Sequence, residues 1–122
     1  MHTYSQSTGR FDDIATGYSG NNAGYNNPSL QAVHNIGPIP EGFYLIGPSF
    51  THVRAGPLTM RLAPTGGTDT FHRDGFMIHG DTQEHALHPT PGNSASDGCI
   101  ILDHSTRAAI AASNDRLLKV IP

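Results

Sequence analysis

Short apolar runs, each about the length of a β-strand and bounded by turn residues, dominate the chain beyond residue 40. Phe43–Ile46 is continuously apolar, and Leu58–Leu62 alternates apolar and polar residues as a half-buried strand does. Three further apolar runs predict strands at Phe76–Ile78, Cys99–Leu102 and Leu117–Ile121. The pattern therefore predicts a mainly β fold.

One segment has the composition of a helix. The Ala-rich run Ser105–Ser113 has high helix propensity, and Asp103 or Ser105 is placed to cap its first turn. The first forty residues are instead dense in Gly, Asn and Pro, which predicts loops, with a weak strand signal at Arg10–Ala15. The polar connection Thr82–Ser96 contains two prolines, so we do not expect regular structure throughout it.

Length and composition indicate one domain. With 122 residues the chain fits a single hydrophobic core, and 14 Gly and 9 Pro leave little room for long helices. We therefore expect one domain over residues 1–122, a compact β-sandwich or barrel with one or two short helices.

The charge pattern argues against two classes of partner. The net charge is −3 and Lys and Arg form no run, so we expect neither a nucleic-acid partner nor attraction to an anionic membrane. No apolar stretch has the length of a bilayer span, so we expect no membrane insertion. The first residues also lack the basic start and apolar middle of a secretory signal. A protein with this N-terminus that works outside the cytoplasm needs another route of delivery.

Two strand ends carry the candidate chemistry. His79 follows one predicted strand, and Cys99, the only cysteine, begins another. If the two strands are neighbours, imidazole and thiol meet at one edge of the sheet. A free thiol has a pKa of about 8.5 and is mostly protonated at neutral pH, so an imidazole that takes its proton activates it. The thiolate can then attack an amide carbonyl and form an acyl-enzyme.

Residues beside these two complete the candidate site. Gly98 allows a tight turn before Cys99, which can aim peptide N–H groups at the developing oxyanion. A third group should orient the imidazole of His79, and the candidates are Asp81 and a backbone carbonyl near Gly80.

Arginines and tyrosines supply candidate substrate contacts. Arg61 and Arg73 can each pair with a substrate carboxylate through the planar guanidinium fork, although Arg73 suits a solvated surface position equally well. Tyr44, like Tyr18 and Tyr25, either lines a substrate groove or packs in the core.

The spacing of these residues resembles a known signature. His79, sixteen intervening residues and then Ser96-Asp97-Gly98-Cys99 are similar to the signature of L,D-transpeptidase catalytic domains. The resemblance implies an L,D-transpeptidase-like β fold without a cofactor. It also implies that Cys99 is the nucleophile, His79 the general base, Ser96 the hydroxyl of the site and Gly98 the oxyanion turn.

The chain is more similar to one branch, the type VI-secreted L,D-transpeptidase-like effectors. The residues that carry this likeness are Tyr18-Ser19-Gly20, Gly37-Pro38-Ile39-Pro40-Glu41-Gly42-Phe43-Tyr44, Arg61-Leu62, Gly75-Phe76-Met77-Ile78-His79-Gly80-Asp81 and Ala95-Ser96-Asp97-Gly98-Cys99-Ile100-Ile101-Leu102. The resemblance implies delivery into the periplasm of a neighbouring bacterium, without a signal peptide. The implied substrate is the peptidoglycan tetrapeptide stem, whose terminal D-alanine is removed or exchanged for another D-amino acid. A cognate immunity protein is the implied partner, and a carrier of the secretion apparatus is a further candidate.

Two positions depart from the general signature. Asp97 stands where the family usually has His, and Ile101 where general L,D-transpeptidases tend to have Arg or Asn. Both changes suggest an altered acceptor side and argue against cross-linking more than against stem cleavage. We therefore expect Asp97 among the substrate-binding residues, together with Arg61, Asp81 and Tyr44.

Two other functions remain open from the sequence. Eight histidines suggest a zinc peptidase of the cell wall, although no HExxH element is present. The candidate ligands are His79, Asp81, His85, His88 and Cys99. The other alternative is a non-catalytic domain that only binds peptidoglycan. Four histidines are expected to be exposed loop residues, namely His72, His85, His88 and His104.

Overall fold

The computed structural model describes all 122 residues and is mainly β. Ten strands form a nearly closed, barrel-like sheet, and only two short α-helices accompany it. The strands are β1 (His2–Ser5), β2 (Arg10–Phe11), β3 (Ala15–Thr16), β4 (Tyr18–Ser19), β5 (Gly42–Ile46), β6 (Phe50–His52), β7 (Gly56–Thr65), β8 (Met77–His79), β9 (Ile100–Ile101) and β10 (Leu117–Ile121). The helices are α1 (Gln83–Leu87) and α2 (His104–Ala112), with 3₁₀ turns at Asn22–Gly24, Pro28–Leu30 and Pro91–Asn93.

The strand order along the sheet is β3-β2-β1-β10-β5-β7-β8-β9-β4, and β6 pairs with β7 outside this path. Two neighbouring pairs are parallel, β1 with β10 and β8 with β9, and the others are antiparallel. The last strand of the chain thus lies between the first strand and β5, which joins the two ends of the chain within one sheet.

The core follows from the alternation of apolar residues along neighbouring strands. Ile46 pairs with Leu62, Met60 with Ile78, and Ile78 with Ile100, so these side chains form one row on the inner face. All are at most 4% exposed. This apolar row fixes the register, because a shift by one residue would turn every one of these side chains towards solvent.

Helix α2 closes the core beside β7. The Asp103 side chain accepts a hydrogen bond from Thr106 N at 2.8 Å and caps the helix, as expected from the sequence. Ile110 enters the core, and Arg107 lies buried beside it on the same helix. No helix of the structure has the length and apolar character needed to cross a bilayer.

Several elements with a local sequence signal lie where they were predicted. The mainly β fold is confirmed, and β5, β10 and α2 lie within a residue of their predicted ranges. Strand β7 is longer than predicted and continues through Pro64. Leu62 N donates to Phe76 O, and the nitrogen of Pro64, two residues later, faces the same side of the strand but lies past the end of β8. The proline ring therefore removes no hydrogen bond between strands.

The loop assignment for the first forty residues was incomplete. Strands β1 and β4 were missed, and Arg10–Ala15 is not one strand but parts of the short pair β2 and β3. Strand β1 pairs with β10, more than 110 residues later in the chain, so its partner is invisible to a local pattern.

Candidate active site

The parallel pair β8–β9 brings the two candidate catalytic residues onto adjacent strands. Ile78 pairs with Ile100 and both face the core. His79 follows Ile78 and Cys99 precedes Ile100, so both point to the opposite face of the sheet. With strands about 4.8 Å apart and an offset of two residues, their Cα atoms are roughly 8 Å apart. The two strands are neighbours, which is the condition under which imidazole and thiol share one edge of the sheet.

His79 and Cys99 line one cleft of about 450 Å³. One side of the cleft is formed by the end of β6 and the turn that leads to β7. We call this side the hairpin wall, and its lining residues are His52, Arg54 and Ala55. Another side is formed by the connection between β8 and β9. We call it the connection wall, and its lining residues are Gly80, Asp81, Thr82, Ala95 and Asp97. A larger depression of about 650 Å³ beside Phe43 and Lys119 contains neither Cys nor His.

His79 is held in the tautomer that a general base requires. The residue is 7% exposed, and Nδ1 lies 2.8 Å from the carbonyl oxygen of Gly80. Because a carbonyl only accepts, Nδ1 carries the proton and donates it, which leaves the lone pair on Nε2. Burial lowers the pKa of His79, the Gly80 hydrogen bond acts in the opposite direction, and the Arg107 cation lowers it further. The imidazole is therefore neutral at neutral pH.

Arg107 supports the backbone next to the base. Its guanidinium is buried and donates to the carbonyl oxygens of Leu102 at 3.1 Å and Pro57 at 2.8 Å. A Cβ atom at Gly80 would lie 2.8 Å from Nη2 of Arg107, so only glycine fits there without a shift. Leu102 N also donates to the carbonyl of His79 at 3.1 Å. Arg107 thus ties helix α2 to the backbone segments that adjoin His79.

Cys99 is half-buried and rests as a neutral thiol. Burial is the main reason that the pKa of the Cys99 thiol is raised to about 11; the Met77 backbone and the Arg73 cation act to lower it, and the Asp97 carboxylate acts to raise it. Sγ lies 3.7 Å from the carbonyl oxygen of Gly75, a weak hydrogen bond. The thiol makes no hydrogen bond to His79 in this conformation.

The turn before Cys99 is tied by Ser96, which is fully buried and does not line the cleft. Its hydroxyl donates to Cys99 O at 2.6 Å and accepts from Gly20 N at 2.9 Å and from Gly98 N at 3.1 Å. Gly98 has φ of +131°, and a side chain there would collide with the Arg73 guanidinium. The tight turn expected at Gly98 is present, but the N–H of Gly98 itself points to Ser96 and not into the cleft.

Arg73 is the second buried arginine of the site and is 5% exposed. It donates to the carbonyl oxygens of Gln31 at 2.5 Å, Pro38 at 2.8 Å, Gly37 at 2.9 Å and Asp97 at 3.2 Å. From the sequence, Arg73 was expected to be either a surface cation or a ligand for a substrate carboxylate. Its buried position fits neither expectation. It fastens the loop of residues 31–38 to the nucleophile turn.

Asp81 makes no hydrogen bond to His79, although its carboxylate acts to raise the pKa of the imidazole. Its carboxylate accepts from the hydroxyl of Tyr18 at 2.6 Å and pairs with Nδ1 of His85 at 2.6 Å. Tyr18 also accepts from Ala95 N at 2.9 Å, so one hydroxyl joins both ends of the connection wall. Of the two candidates for orienting the imidazole, the backbone carbonyl of Gly80 does so. His85 is 3% exposed, so its expected position in an exposed loop was wrong.

Three expected substrate-binding residues occupy different environments. Asp97 is exposed on the cleft, and its carboxylate accepts from Nδ2 of Asn21 at 3.0 Å. Arg61 is exposed and stacks 4.8 Å from the centre of the Phe50 ring, outside the cleft lining. Tyr44 is fully buried and donates to the carbonyl of Pro40 at 2.8 Å, so it cannot reach the cleft.

Sequence reasoning missed the arginine that does line the cleft, Arg54. Its only sequence signal is a polar stretch between two strands, which does not distinguish it from other surface residues. No group of three or more His, Cys, Asp or Glu side chains is arranged to hold a metal ion. The zinc alternative therefore finds no support in the geometry.

The fold and the cleft define a small β domain in which a thiol and a neutral imidazole share one surface. The model of the Tlde1 domain matches residues 13–121, so the chain belongs to the Tlde1 domain family. This membership indicates a type VI secretion effector, an antibacterial protein of a kind that is secreted into target cells. Comparison with curated proteins and with solved structures gave no match.

Proposed function

We propose that this effector modifies peptidoglycan by cysteine-dependent acyl transfer at the L,D-peptide bond of tetrapeptide stems. The observation that carries the proposal is the state of His79. Its Nδ1–H group donates a hydrogen bond to the carbonyl oxygen of Gly80, so the basic Nε2 remains available in the same cleft as Cys99. The substrate class is supported by the resemblance of the His79 to Cys99 spacing to L,D-transpeptidases.

The first half of the reaction forms a thioester. The Cys99 side chain rotates from the Gly75 carbonyl towards His79. Nε2 then takes the thiol proton as sulfur attacks the carbonyl carbon of the L,D-peptide bond. The carbon–nitrogen bond to D-alanine then breaks, and the imidazolium gives its proton to the leaving nitrogen. D-Alanine leaves with a free amine, and the shortened stem remains on the sulfur.

The second half releases the stem. Water attacks the thioester with His79 as base, which yields a tripeptide stem and restores the thiol. Alternatively the amine of a free D-amino acid attacks, which yields an exchanged tetrapeptide. Both outcomes use the same two side chains, so the geometry supports a carboxypeptidase and an exchange enzyme equally.

The protonation states fit this sequence of steps. Since the pKa of Cys99 is raised to about 11 and that of His79 is lowered, the resting site holds a neutral thiol and a neutral imidazole. Proton transfer therefore accompanies the attack and does not precede it as a stable ion pair.

The neighbouring residues act by position. Ser96 and Gly98 hold the turn that presents Cys99, and Asp97 forms the rim beside the sulfur. We assign no substrate contact to Tyr44, because it is buried in the core, or to Arg61, because it stacks on Phe50 outside the cleft.

Delivery and protection follow from the substrate. Tetrapeptide stems lie in the periplasm, so we propose that compartment of the target cell as the place of action. A producer that makes the same stems needs a cognate immunity protein, and a carrier of the secretion apparatus is a further proposed partner.

The experiment compares the wild-type protein with Cys99→Ala and His79→Ala on purified tetrapeptide muropeptides, read by mass spectrometry. We expect the wild type alone to remove one D-alanine, or to exchange it when labelled D-alanine is added. His88→Ala is the matched control, because His88 is exposed and lies outside the cleft lining. A Cys99→Ala protein as active as the wild type contradicts the proposal. Binding of muropeptides without any change of mass would instead support the non-catalytic alternative.

A further inference from the structure

Arg54 is an unpaired cation on the rim of the cleft. It is exposed, it lines the cleft, and its guanidinium makes no hydrogen bond or ion pair within the chain. The other charged residues of the cleft lining are the carboxylates Asp81 and Asp97. Arg54 is therefore the one cation there that is free to bind a ligand.

The hairpin wall holds the backbone of Arg54 in place. Nδ1 of His52 accepts from Arg54 N and from Ala55 N, both at 3.0 Å. These two bonds close the turn between β6 and β7 with a side chain. The point on the rim from which the Arg54 side chain extends is therefore fixed.

The strand register gives the cleft a direction. Strand β7 runs antiparallel to β8 with Met60 opposite Ile78, so the turn that precedes β7 lies at the end of β8 where His79 stands. Cys99 lies one residue before Ile100, the partner of Ile78, and therefore towards the other end of β8, and Asp97 comes two residues before Cys99. The hairpin wall with Arg54 therefore lies towards the imidazole, and Asp97 lies towards the sulfur.

The proposed reaction has the same direction. His79 must protonate the leaving nitrogen, so the departing D-alanine lies on the imidazole side of the cleft. Its α-carboxylate is one carbon away from that nitrogen and carries a full negative charge. A guanidinium is the side chain that best matches a carboxylate, through two parallel N–H···O bonds.

We propose that Arg54 binds the terminal α-carboxylate of the leaving D-amino acid, which makes the enzyme specific for stems that end in a free carboxylate. The inference rests on the proposed function. In the exchange reaction the incoming D-amino acid occupies the place of the leaving one, so its carboxylate binds Arg54 as well. Water needs no such contact, and Arg54 therefore also sets the balance between exchange and hydrolysis.

The test compares wild type, Arg54→Gln and Arg61→Gln on two substrates, a tetrapeptide stem with a terminal D-alanine carboxylate and the same stem with D-alaninamide. Arg61 is the matched control, since it is also exposed but stacks on Phe50 outside the cleft lining. We expect Arg54→Gln to lose about 10–100-fold in kcat/KM on the carboxylate stem. It should change little on the amide, and Arg61→Gln should match the wild type on both.

A second readout is the ratio of exchanged to hydrolysed product in the presence of labelled D-alanine. This ratio is measured within one sample, so a partly misfolded variant does not distort it. We expect the ratio to fall about tenfold or more in Arg54→Gln and to stay at the wild-type value in Arg61→Gln. An unchanged ratio, or equal losses on the carboxylate and amide stems, overturns the assignment of Arg54.

Measurements of stem binding test the role of Arg54 independently of the proposed reaction. The Cys99→Ala protein, with and without Arg54→Gln, is titrated with both stems by calorimetry. If the wild type cleaves nothing but Cys99→Ala prefers the carboxylate stem through Arg54, the carboxylate site stands and the reaction fails. If the wild type cleaves both stems equally well, the reaction stands and the carboxylate site fails.

Discussion

The two ends of the candidate site are each backed by one buried arginine, but the arginines are held differently. Arg73 stands behind the nucleophile turn and Arg107 behind the base, and both donate only to backbone carbonyls. Guanidinium stays charged even when burial lowers its pKa, as it does for both residues. Two cations thus lie beneath the site without a carboxylate partner.

The partners of the two arginines differ in their origin. Arg73 joins Asp97 to the loop carbonyls of Gln31, Gly37 and Pro38. Arg107 binds the carbonyl of Leu102, just before its own helix, and that of Pro57 at the start of β7. The Cys99 end of the candidate site therefore depends on loops packed from the first forty residues, whereas the His79 end depends on regular structure.

The electrostatic effects of the two arginines complement each other. The Arg73 cation lowers the pKa of Cys99, which favours the thiolate. The Arg107 cation lowers the pKa of His79, which keeps the imidazole neutral and able to accept a proton. The same kind of side chain thus lowers the pKa of both the thiol and the imidazole of the candidate site.

The largest effect that tests this comparison is expected from Arg73→Ala. The substitution removes the donor for four carbonyls in a buried region and should destabilise the fold by about 3–4 kcal/mol. Urea denaturation followed by circular dichroism measures it. The exposed Arg54→Ala serves as control and should change stability by less than about 0.5 kcal/mol. Equal stability of the two variants would show that the loop does not depend on Arg73.

A smaller effect is expected from Ser96→Ala, which tests the nucleophile turn alone. Two buried N–H groups, of Gly20 and Gly98, lose their acceptor, so we expect a loss of stability of about 1–3 kcal/mol. The carbonyl of Cys99 also loses its donor, so the thiol should shift and its rate of alkylation by iodoacetamide should change.

The control for Ser96→Ala is Ser49→Ala, at an exposed position. In the wild type, alkylation should keep accelerating as pH rises towards about 11, the raised pKa of the thiol. An alkylation profile of Ser96→Ala that overlies the wild-type profile would contradict the positioning role of Ser96.

The smallest effect concerns the base and appears as a shift in pH dependence. In the proposed reaction the acid limb of kcat/KM reports the pKa of His79, which burial and, to a smaller extent, Arg107 lower. Arg107→Met should therefore move this limb to higher pH, whereas Arg107→Lys keeps the charge and should leave it in place. A limb that does not move in Arg107→Met would remove Arg107 from the electrostatics of the base.

The lowered pKa of His79 also makes the stability of the fold depend on pH. Because the folded pKa of His79 is depressed, the unfolded chain takes up a proton first as pH falls. Stability is present above the pKa of a free histidine, about 6.5, and is lost as pH falls towards the folded value. Thermal melting at a series of pH values measures this loss, which should be smaller in Arg107→Met than in Arg107→Lys.

The sequence predicted more at the base than at the nucleophile turn. His79 follows an apolar strand with a local signal, and the carbonyl of Gly80, the residue next to it, was among the expected orienting groups. For Ser96 the resemblance implied a site hydroxyl, but its burial was not predictable, because Gly20, one of its partners, lies more than 70 residues away. Arg73 and Arg54 carry no signal that distinguishes their opposite environments.

By itself, the sequence determined the strand-length apolar runs, the capped helix and the spacing of one thiol and one imidazole, because these are local or countable properties. The tertiary structure alone decided that β8 and β9 are parallel neighbours, that Tyr44 lies in the core, and that Arg54 faces the cleft while Arg61 stacks outside it. The physical reason is that burial and pairing depend on which distant segments meet. Such contacts leave no periodic trace in either partner.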